Sequence, residues 1–575
     1  MSSTRIPVLI AGGGSVGLAT ALFLSHHGVP TLVVEGQAGP SAHPRATGVG
    51  PRTMEFFREV GVEDAVNDAA VDMTADSLGK ISAPTLASAG LTATASTASS
   101  GDRQVSEWFA QHSPARLRGI CSQDRLDSVL LRAATERGAD VRYSTRLVYF
   151  EQGEHGVTAL LSCSGGQQVV EADYLVAADG ARSGVRDALG VGTSGPGRLG
   201  NPKMNILFRA DLREHTGGRA FVSCTVTNPD SPGLLMTVDG KTTWTFHVEY
   251  DPARGQAPAD FTPERCTTLI RAAVGDPDLD VEVLSAQSWR MRGVLADRFR
   301  VGRVFLVGDA AHAVPPLGAF GMNTGVADAH NLAWKLAAVH TGQAGPALLD
   351  SYEAERRPVA ALTLDQALSR LADPRLHWGV GPEAAAARAA AGVVNAPVVH
   401  WGYRYDSRAV IDPRPELVST EDLEPNLDGT PGSRIPHLWL ERDGRRLSTL
   451  DLVASRFCLL TGAEGADWTP AAAEAAARLG VDLVVHRIAP DAEVSDPEGR
   501  WPHVVGIADD GALLVRPDGF VAWRVPALPD QPADELARVL TRLLARDGDQ
   551  SQEEQEGREG ESVRKREPGP SWRRN

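Results

Sequence analysis

Residues 6–35 constrain the fold of this chain more than any other stretch. Ile6 to Ile10 form a short apolar strand, with Pro7 near its start, where proline is tolerated. Gly12-Gly13-Gly14-Ser15-Val16-Gly17 follows and fits G-x-G-x-x-G. Helical apolar spacing through Leu18, Ala21, Leu22 and Leu24 comes next, and Thr31 to Val34 make a second apolar strand ending in Glu35. Each part has a physical task. The glycines permit a tight turn and close approach to a pyrophosphate, the helix N-terminus offers unpaired N–H groups and partial positive charge, and the acid reaches ribose hydroxyls. A lone G-x-G-x-x-G is often chance. With the strand before it, the helix after it and the acid at this distance, it predicts a β-α-β unit that binds a dinucleotide. It does not separate FAD from NAD(P).

Two later strands end in similar chemistry. The apolar run after Asp173 ends in Asp179-Gly180, followed by Arg182, Ser183 and Arg186. By itself Asp179-Gly180 reads as a turn with a preference for positive φ. Val304 to Val307 read as a strand buried on both faces and end in Gly308-Asp309, a carboxylate at the sheet edge where open α/β folds bind ligands. His312, Pro315-Pro316 and Gly321-Met322-Asn323 follow. The spacing of Val326, Ala329, Leu332, Ala333, Leu336 and Ala337 predicts a helix from about Thr324. Alone, this segment is an ordinary strand-loop-helix crossover.

From about 182 to 297 the apolar period changes to two. Leu234 to Val238 and Thr243 to Tyr250 flank Asp239-Gly240-Lys241, a hairpin signal, and Met204 to Leu212 and Val281 to Met291 add strands. Trp244, Phe246, Val248 and Tyr250 share one face, opposite Thr245, His247 and Glu249. An aromatic stripe in a strand is most often core, so Trp244 and Trp289 are not counted as site residues. Ser82 to Gly101, rich in Ala, Ser and Thr, reads as a solvated surface excursion, with a substrate lid as the alternative.

Taken together and in this order, the motifs resemble the FAD-dependent aromatic monooxygenases, the single-component flavoprotein hydroxylases, nearly end to end. The resemblance implies that Gly12, Gly14, Gly17 and Glu35 bind the FAD pyrophosphate and adenosine ribose. It sets Asp179-Gly180 between FAD and the nicotinamide path, and gives Asp309 the ribityl hydroxyls. His43-Pro44-Arg45 with Arg52-Thr53-Met54-Glu55 is also similar to the family, with Arg45 near FAD phosphate and NADPH. Ser122-Gln123 followed by Leu126 is similar to its Gln-x-x-Leu, whose glutamine contacts flavin. Pro315-Pro316 would pass along the isoalloxazine, with the Pro316 carbonyl near the reacting substrate, and Gly321, Met322 and Asn323 would cradle the flavin edge at N1–C2. Leu317-Gly318-Ala319-Phe320-Gly321, with Ala319 where many members carry a second glycine, resembles hydroxylases of aromatic polyketide biosynthesis, which act on polycyclic phenols and quinones.

The reaction implied is NADPH (second choice NADH) reduction of FAD, addition of O2 to give a C4a-hydroperoxyflavin, and hydroxylation of an electron-rich ring. No base is assigned. His247 and His312 qualify by chemistry only, and a structural role is the plainer reading of each. Baeyer–Villiger insertion into a ketone is the alternative, an NAD-only dehydrogenase ranks below it, and a non-catalytic flavin-binding protein ranks last.

After about Val394 the chain resembles the thioredoxin-like C-terminal domain of some members, through Pro431-Gly432-Ser433-Arg434, Leu447 to Leu452, a strand Phe457 to Thr461, and Val515-Arg516-Pro517-Asp518-Gly519. Thiol exchange needs a C-x-x-C pair. Cys458 stands alone, so this part is expected to be a redox-inactive scaffold. The expected fold class is therefore α/β, in five parts. Residues 1–181 and 298–394 form a Rossmann-like FAD-binding domain, the latter with a helical region. Residues 182–297 are an inserted antiparallel substrate sheet, 395–546 the thioredoxin-like domain, and 547–575 a charged disordered tail.

A formal net charge of −16 argues against a nucleic-acid partner. Five cysteines without a C-x-x-C pair fit reduced thiols better than a disulfide framework or a zinc site, so no metal is expected. The first apolar run is too short for a signal peptide, and no segment reaches a membrane span, so the cytoplasm is the expected location. The expected partners are a small polycyclic aromatic, O2 and NAD(P)H, with the chain a monomer or homodimer.

Overall fold

A computed structural model describes residues 4–44, 47–73, 77–91, 108–373, 376 and 381–546. Arg45, the second half of the Ala/Ser/Thr-rich stretch and the charged tail lie outside these residues.

The first sheet is built on strand Thr4–Ala11. It pairs in parallel with Thr31–Val34 on one side and Gly166–Ala177 on the other. Asp140–Arg142 extends the sheet beyond Thr31–Val34, and Val304–Leu306 lies beyond Gly166–Ala177, both in parallel. Thr31–Val34 is buried at every residue, as a central parallel strand covered on both faces must be. Helices α1 (Ser15–His26), α2 (Pro51–Glu59) and α3 (Gln123–Glu136) follow in chain order, and α1 packs with α3 on one core. The order of strands has one large consequence. The three strands that carry the motifs are neighbours, with Ala11 opposite Ala177 and Ala177 opposite Leu306. Their C-terminal ends therefore emerge side by side, about 5 Å apart.

The second sheet has seven strands. The expected hairpin forms from Gly233–Thr237 and Thr243–Glu249. The long strands Thr193–Arg209 and Glu282–Ala296 pair antiparallel beside it. Helix α4 (Pro263–Val274) packs its apolar side onto Met204, Ile206, Phe208, Trp244 and Phe246. Trp244 is core, donating from Nε1 to the Ala210 carbonyl at 3.0 Å. The sheet also recruits Lys80–Ala83, parallel to Ser223–Val226. That corrects the surface-excursion reading for its first residues: Ser82 and Ala83 are in a strand and Leu86 is buried.

The chain then returns to the first sheet through helices α5 (Phe320–His340) and α6 (Asp350–Ala372). α5 starts four residues before Thr324, because Ala319 turns the chain at φ 55° and the helix begins directly after it. Apolar periodicity marks the buried stripe of a helix but not its cap, so the start was misjudged.

In the C-terminal part, Phe457–Thr461 pairs in parallel with Leu483–Arg487 and antiparallel with Ala512–Val515, which pairs antiparallel with Val521–Val525. The order two-one-three-four with an antiparallel third strand is that of a thioredoxin-like sheet. Cys458 is fully buried, and burial pushes its thiol up to about 12, far from the thiolate that exchange requires. The Arg516–Gly519 turn of this part inserts its charges between α5 and α6. Arg516 donates to Glu355 at 2.6 and 2.9 Å and to Asp518, Lys335 Nζ lies 2.7 Å from Glu355, and Asn331 donates to both Glu355 and Asp518. Nearby, Arg434 and Arg52 both pair with Glu55, and Arg52 reaches the Asp518 carbonyl at 3.0 Å. All these side chains are buried.

Candidate active site

The edge where the three motif strands end is built largely from backbone. Gly12 has φ 111°, and a Cβ there would lie 2.3 Å from the Ala178 carbonyl oxygen. A Cβ on Gly17 would meet the Gly12 carbonyl at 1.9 Å, so only glycine lets α1 sit this close to the strand. Gly14 differs: open space surrounds its missing Cβ, and it caps α1 without a side-chain hydrogen bond. The first turn of α1 therefore leaves its backbone N–H groups uncovered on the Gly14 side, the arrangement that suits a pyrophosphate. Glu35 Oε2 accepts from the Gly13 N–H at 2.9 Å and Oε1 from Gln37 N–H at 2.8 Å, holding the carboxylate beside the glycine turn.

Asp179 and Gly180 stand on the neighbouring strand end. Asp179 Oδ2 accepts from Val185 N–H at 3.1 Å, which is the turn-forming role its sequence suggests, while Oδ1 is buried without a protein partner. Gly180 has φ 82°. Arg186 of the same turn donates to the Ala310 carbonyl at 3.1 Å and so ties this motif to the next.

On the third strand end, Gly308 has φ 56° and Asp309 is exposed. The Gly308 N–H donates to Asp328 Oδ2 at 3.1 Å. Asp328, from α5, also meets His312 Nε2 at 2.7 Å and Arg356 Nε at 2.8 Å, and all three side chains are fully buried. Burial opposes ionisation of Asp328, but His312 and Arg356 outweigh it and hold the carboxyl below its usual range. His312 is thus a structural histidine that, through Asp328, helps hold the Val307-Gly308 peptide just before Asp309.

The loop continues through Pro315, buried, and Pro316, exposed, whose carbonyl accepts from Ala319 N–H at 3.3 Å. Gly321, Met322 and Asn323 lie in the first turn of α5, so their N–H groups are those a helix leaves without intrahelical partners. The Asn323 side chain has a task that sequence did not suggest. Its Oδ1 accepts from Gly50 N–H and Thr53 Oγ1, each at 2.7 Å, and its Nδ2 donates to the Gly48 and Ala319 carbonyls. It pins the loop before α2 to the start of α5. Cys121 N–H donates to the Thr47 carbonyl, which brings Gln123, the first residue of α3, beside the same loop.

The loop also touches the second sheet. His43 Nδ1 is 2.7 Å from Ser285 Oγ, and Asn205 Nδ2 donates to the Pro44 carbonyl at 3.2 Å. The sheet face that carries Asn205 therefore packs against the His43-Pro44 segment. Cross-strand pairing puts Asn205 opposite His247 and Lys203 opposite Trp289. Trp289, unlike Trp244, belongs to this inner face, where its ring meets His247 edge-on at 5.9 Å. Sequence alternation separates the two faces but does not tell which of them meets the ligand. The residues it missed, Asn323 by its side chain, Asp328 and Asn205, carried one faint signal: Asp328 is a charge inside an apolar helical stripe.

Among the described residues no helix is long and apolar enough to cross a membrane. Residues 5–367 match the family model for an FAD binding domain, and 428–546 that for the aromatic-ring hydroxylase C-terminal part. The chain is 42% identical over 565 residues to a tetracenomycin A2 monooxygenase-dioxygenase of Streptomyces glaucescens, covering 95% of this chain and 98% of that protein. It is 39% identical over 571 residues to an aklavinone 12-hydroxylase of Streptomyces purpurascens, covering 95% and 100%. The crystal structure of an aklavinone-11 hydroxylase with FAD and aklavinone superposes with TM-score 0.80 at 38% identity, over 95% of this chain and all of that one.

Proposed function

The chain belongs to the FAD-binding aromatic-ring hydroxylases, and on that premise we propose that it inserts one oxygen atom of O2 into a polycyclic, polyketide-like phenol or quinone, with NAD(P)H as reductant. It is a flavoprotein monooxygenase. One observation carries the assignment of chemistry to place: three separate strands end side by side, with α1 and α5 starting at the same edge.

The residues present fit FAD. Gly12 and Gly17 close the turn sterically while Gly14 leaves it open, so Gly14 and the first turn of α1 would hold the pyrophosphate and Glu35 the adenosine ribose. Asp309, exposed and steered by the Asp328-held peptide, would take the ribityl hydroxyls. Gly321, Met322 and Asn323 would offer N–H groups to the flavin edge that gains negative charge, and the α5 dipole favours that charge. Gln123, Asp179-Gly180 and Pro316 would line the remainder, and Arg45 would approach phosphate. Bound FAD supplies the redox chemistry and the activation of oxygen. The protein's share is to hold the ring system flat, to exclude water between the two sheets, and to aim one ring carbon. The domain limits 1–181, 182–297, 298–394 and 395–546, and action in the cytoplasm as a monomer or homodimer, belong to the same proposal.

Mass spectrometry of product formed under isotope-labelled oxygen gas tests the reaction: one labelled oxygen on an otherwise intact ring is expected, and a ring-expanded lactone would overturn hydroxylation. Asp309→Ala tests the site. Losing one charge-assisted hydrogen-bonding group, worth about 1.5–3 kcal/mol, should weaken FAD binding about tenfold or more. Undiminished flavin occupancy after purification would contradict the role given to Asp309.

A further inference from the structure

Three polar atoms on the inner face of the seven-stranded sheet are buried without a protein partner: Asn205 Oδ1, His247 Nδ1 and Trp289 Nε1. Asn205 is directly opposite His247, and Trp289, on the strand at its other side, is opposite Lys203, two residues along the same face. Buried polar atoms are normally paired, and three orphans in one cluster mark a place where bonds are completed by something other than the chain. Two polar groups nearby are engaged: Asn205 Nδ2 with the Pro44 carbonyl, and Ser285 Oγ with His43 Nδ1. The His43-Pro44 segment runs on to Gly48 and Gly50, which Asn323 holds at the start of α5. Pro44 and Gly50 are six positions apart, so the chain between them spans at most ~20 Å. The His43-Pro44 segment thus connects the orphan cluster, along the chain, to the loop that Asn323 pins at the start of α5.

Resting on the hydroxylase reading above, we propose that Asn205, His247 and Trp289 read the substrate. Asn205 Oδ1 and His247 Nδ1 accept hydrogen bonds from ring hydroxyls, and Trp289 Nε1–H donates to a ring carbonyl. The array selects a polycycle with a hydroxyl beside a quinone carbonyl. Its chemistry is one-directional, because Trp289 can only donate and the Asn205 oxygen can only accept.

The same geometry explains why His247 orients rather than deprotonates. Burial, then the nearby Lys203 and His43, lower its imidazole to about 4. Against a phenol near 10, the tyrosine value, complete proton transfer is opposed about a millionfold. A neutral imidazole that carries its proton on Nε2 still accepts a hydrogen bond at Nδ1.

Anthraquinone, 1-methoxyanthraquinone and 1-hydroxyanthraquinone are suitable probes, titrated into the FAD-loaded full-length protein and followed by the change in flavin absorbance. The wild type should bind the hydroxy compound at least tenfold more tightly than either of the others. His247→Phe should reduce that preference to about twofold while leaving anthraquinone affinity nearly unchanged, and His247→Gln, which retains an acceptor, should recover part of it. Trp289→Phe gives an independent arm, because it keeps an aromatic ring but loses the N–H. It should lower the preference for anthraquinone over anthracene about fivefold, and this arm decides the matter if the His247 variants do not fold. A wild type that binds all the anthraquinones equally overturns the inference and leaves the hydroxylase reading intact. So does a His247→Phe variant that loses affinity equally for all of them. A wild type that binds none of the probes overturns both.

Discussion

Where α5 and α6 meet the C-terminal part, charges are buried in pairs; where the loop before α2 meets the seven-stranded sheet, neutral polar atoms are buried without partners. At the first seam Arg516, Asp518, Glu355 and Lys335 satisfy one another within 2.7 Å or so, and Glu55 joins Arg52 to Arg434. Burial opposes the charge of Arg516, but Asp518 and Glu355 raise its affinity for the proton, and Arg516 with Lys335 holds Glu355 far below the ordinary carboxylate range. These charges come from segments hundreds of residues apart, and each is tolerable in the interior only if its partner is present. Such a seam fixes the placement of its parts. At the second interface, Asn205, His247 and Trp289 keep hydrogen-bonding capacity unspent. The contrast separates a structural seam from a recognition surface, although both border the same flavin-binding sheet.

Breaking one charge at the seam tests this most severely. Arg516→Met leaves Glu355 and Asp518 buried without their main cation and should cost about 3–5 kcal/mol in chemical denaturation. A loss under 1 kcal/mol would mean that the seam is no clamp. Acid titrates the same region. Burial raises the Glu59 pKa, but His330, Ser455 and His27 bring it down from 4.5 to about 2. A depressed folded-state value means that its stabilisation is fully present above pH 4.5 and is lost as pH falls toward 2. The loss should be on the order of 3 kcal/mol, and Glu59→Gln should flatten that part of the stability–pH curve.

The recognition surface should respond in the opposite sense. His247→Phe removes an unpartnered buried nitrogen, so stability of the unliganded protein should stay the same or rise by up to about 1 kcal/mol in thermal unfolding. Destabilisation of several kcal/mol would make this face core like the Trp244 side. The smallest effect is expected between the two regions, at Ala319. Its left-handed conformation suits glycine, so Ala319→Gly should stabilise by about 0.5–1 kcal/mol, measured by the denaturation midpoint. No gain there would show that contact of the Ala319 methyl with Gly48 offsets the strain.

The three strand-end motifs are legible in the sequence, because each is local. A strand, its terminal Gly-Asp or Asp-Gly and the following helix are contiguous, so Gly12 to Glu35, Asp179-Gly180 and Gly308-Asp309 could be read one at a time. The seven-stranded sheet was legible as alternation, yet Lys80–Ala83 was missed, because its partner strand lies far along the chain and a short Ala/Ser-rich strand has little pattern of its own. The α5 start was misread for a related reason: it depends on the backbone conformation of Ala319, not on apolar spacing.

By itself, then, the sequence determined the strand-loop-helix character of the three motifs and the residue types at each strand end, since spacing and residue type are properties of neighbours along the chain. Only the tertiary structure decided that three strand ends lie side by side, that His312 Nε2 is held by Asp328, and that Trp289 shares the face of Asn205 and His247 while Trp244 lies in the core on the other face. Alternation shows that a strand has two faces, but which face is a core and which a binding wall depends on what packs against each. For the buried charges the same holds: Glu355 and Arg516 are 161 positions apart, and neither has a reason to be inside the protein until the other is there.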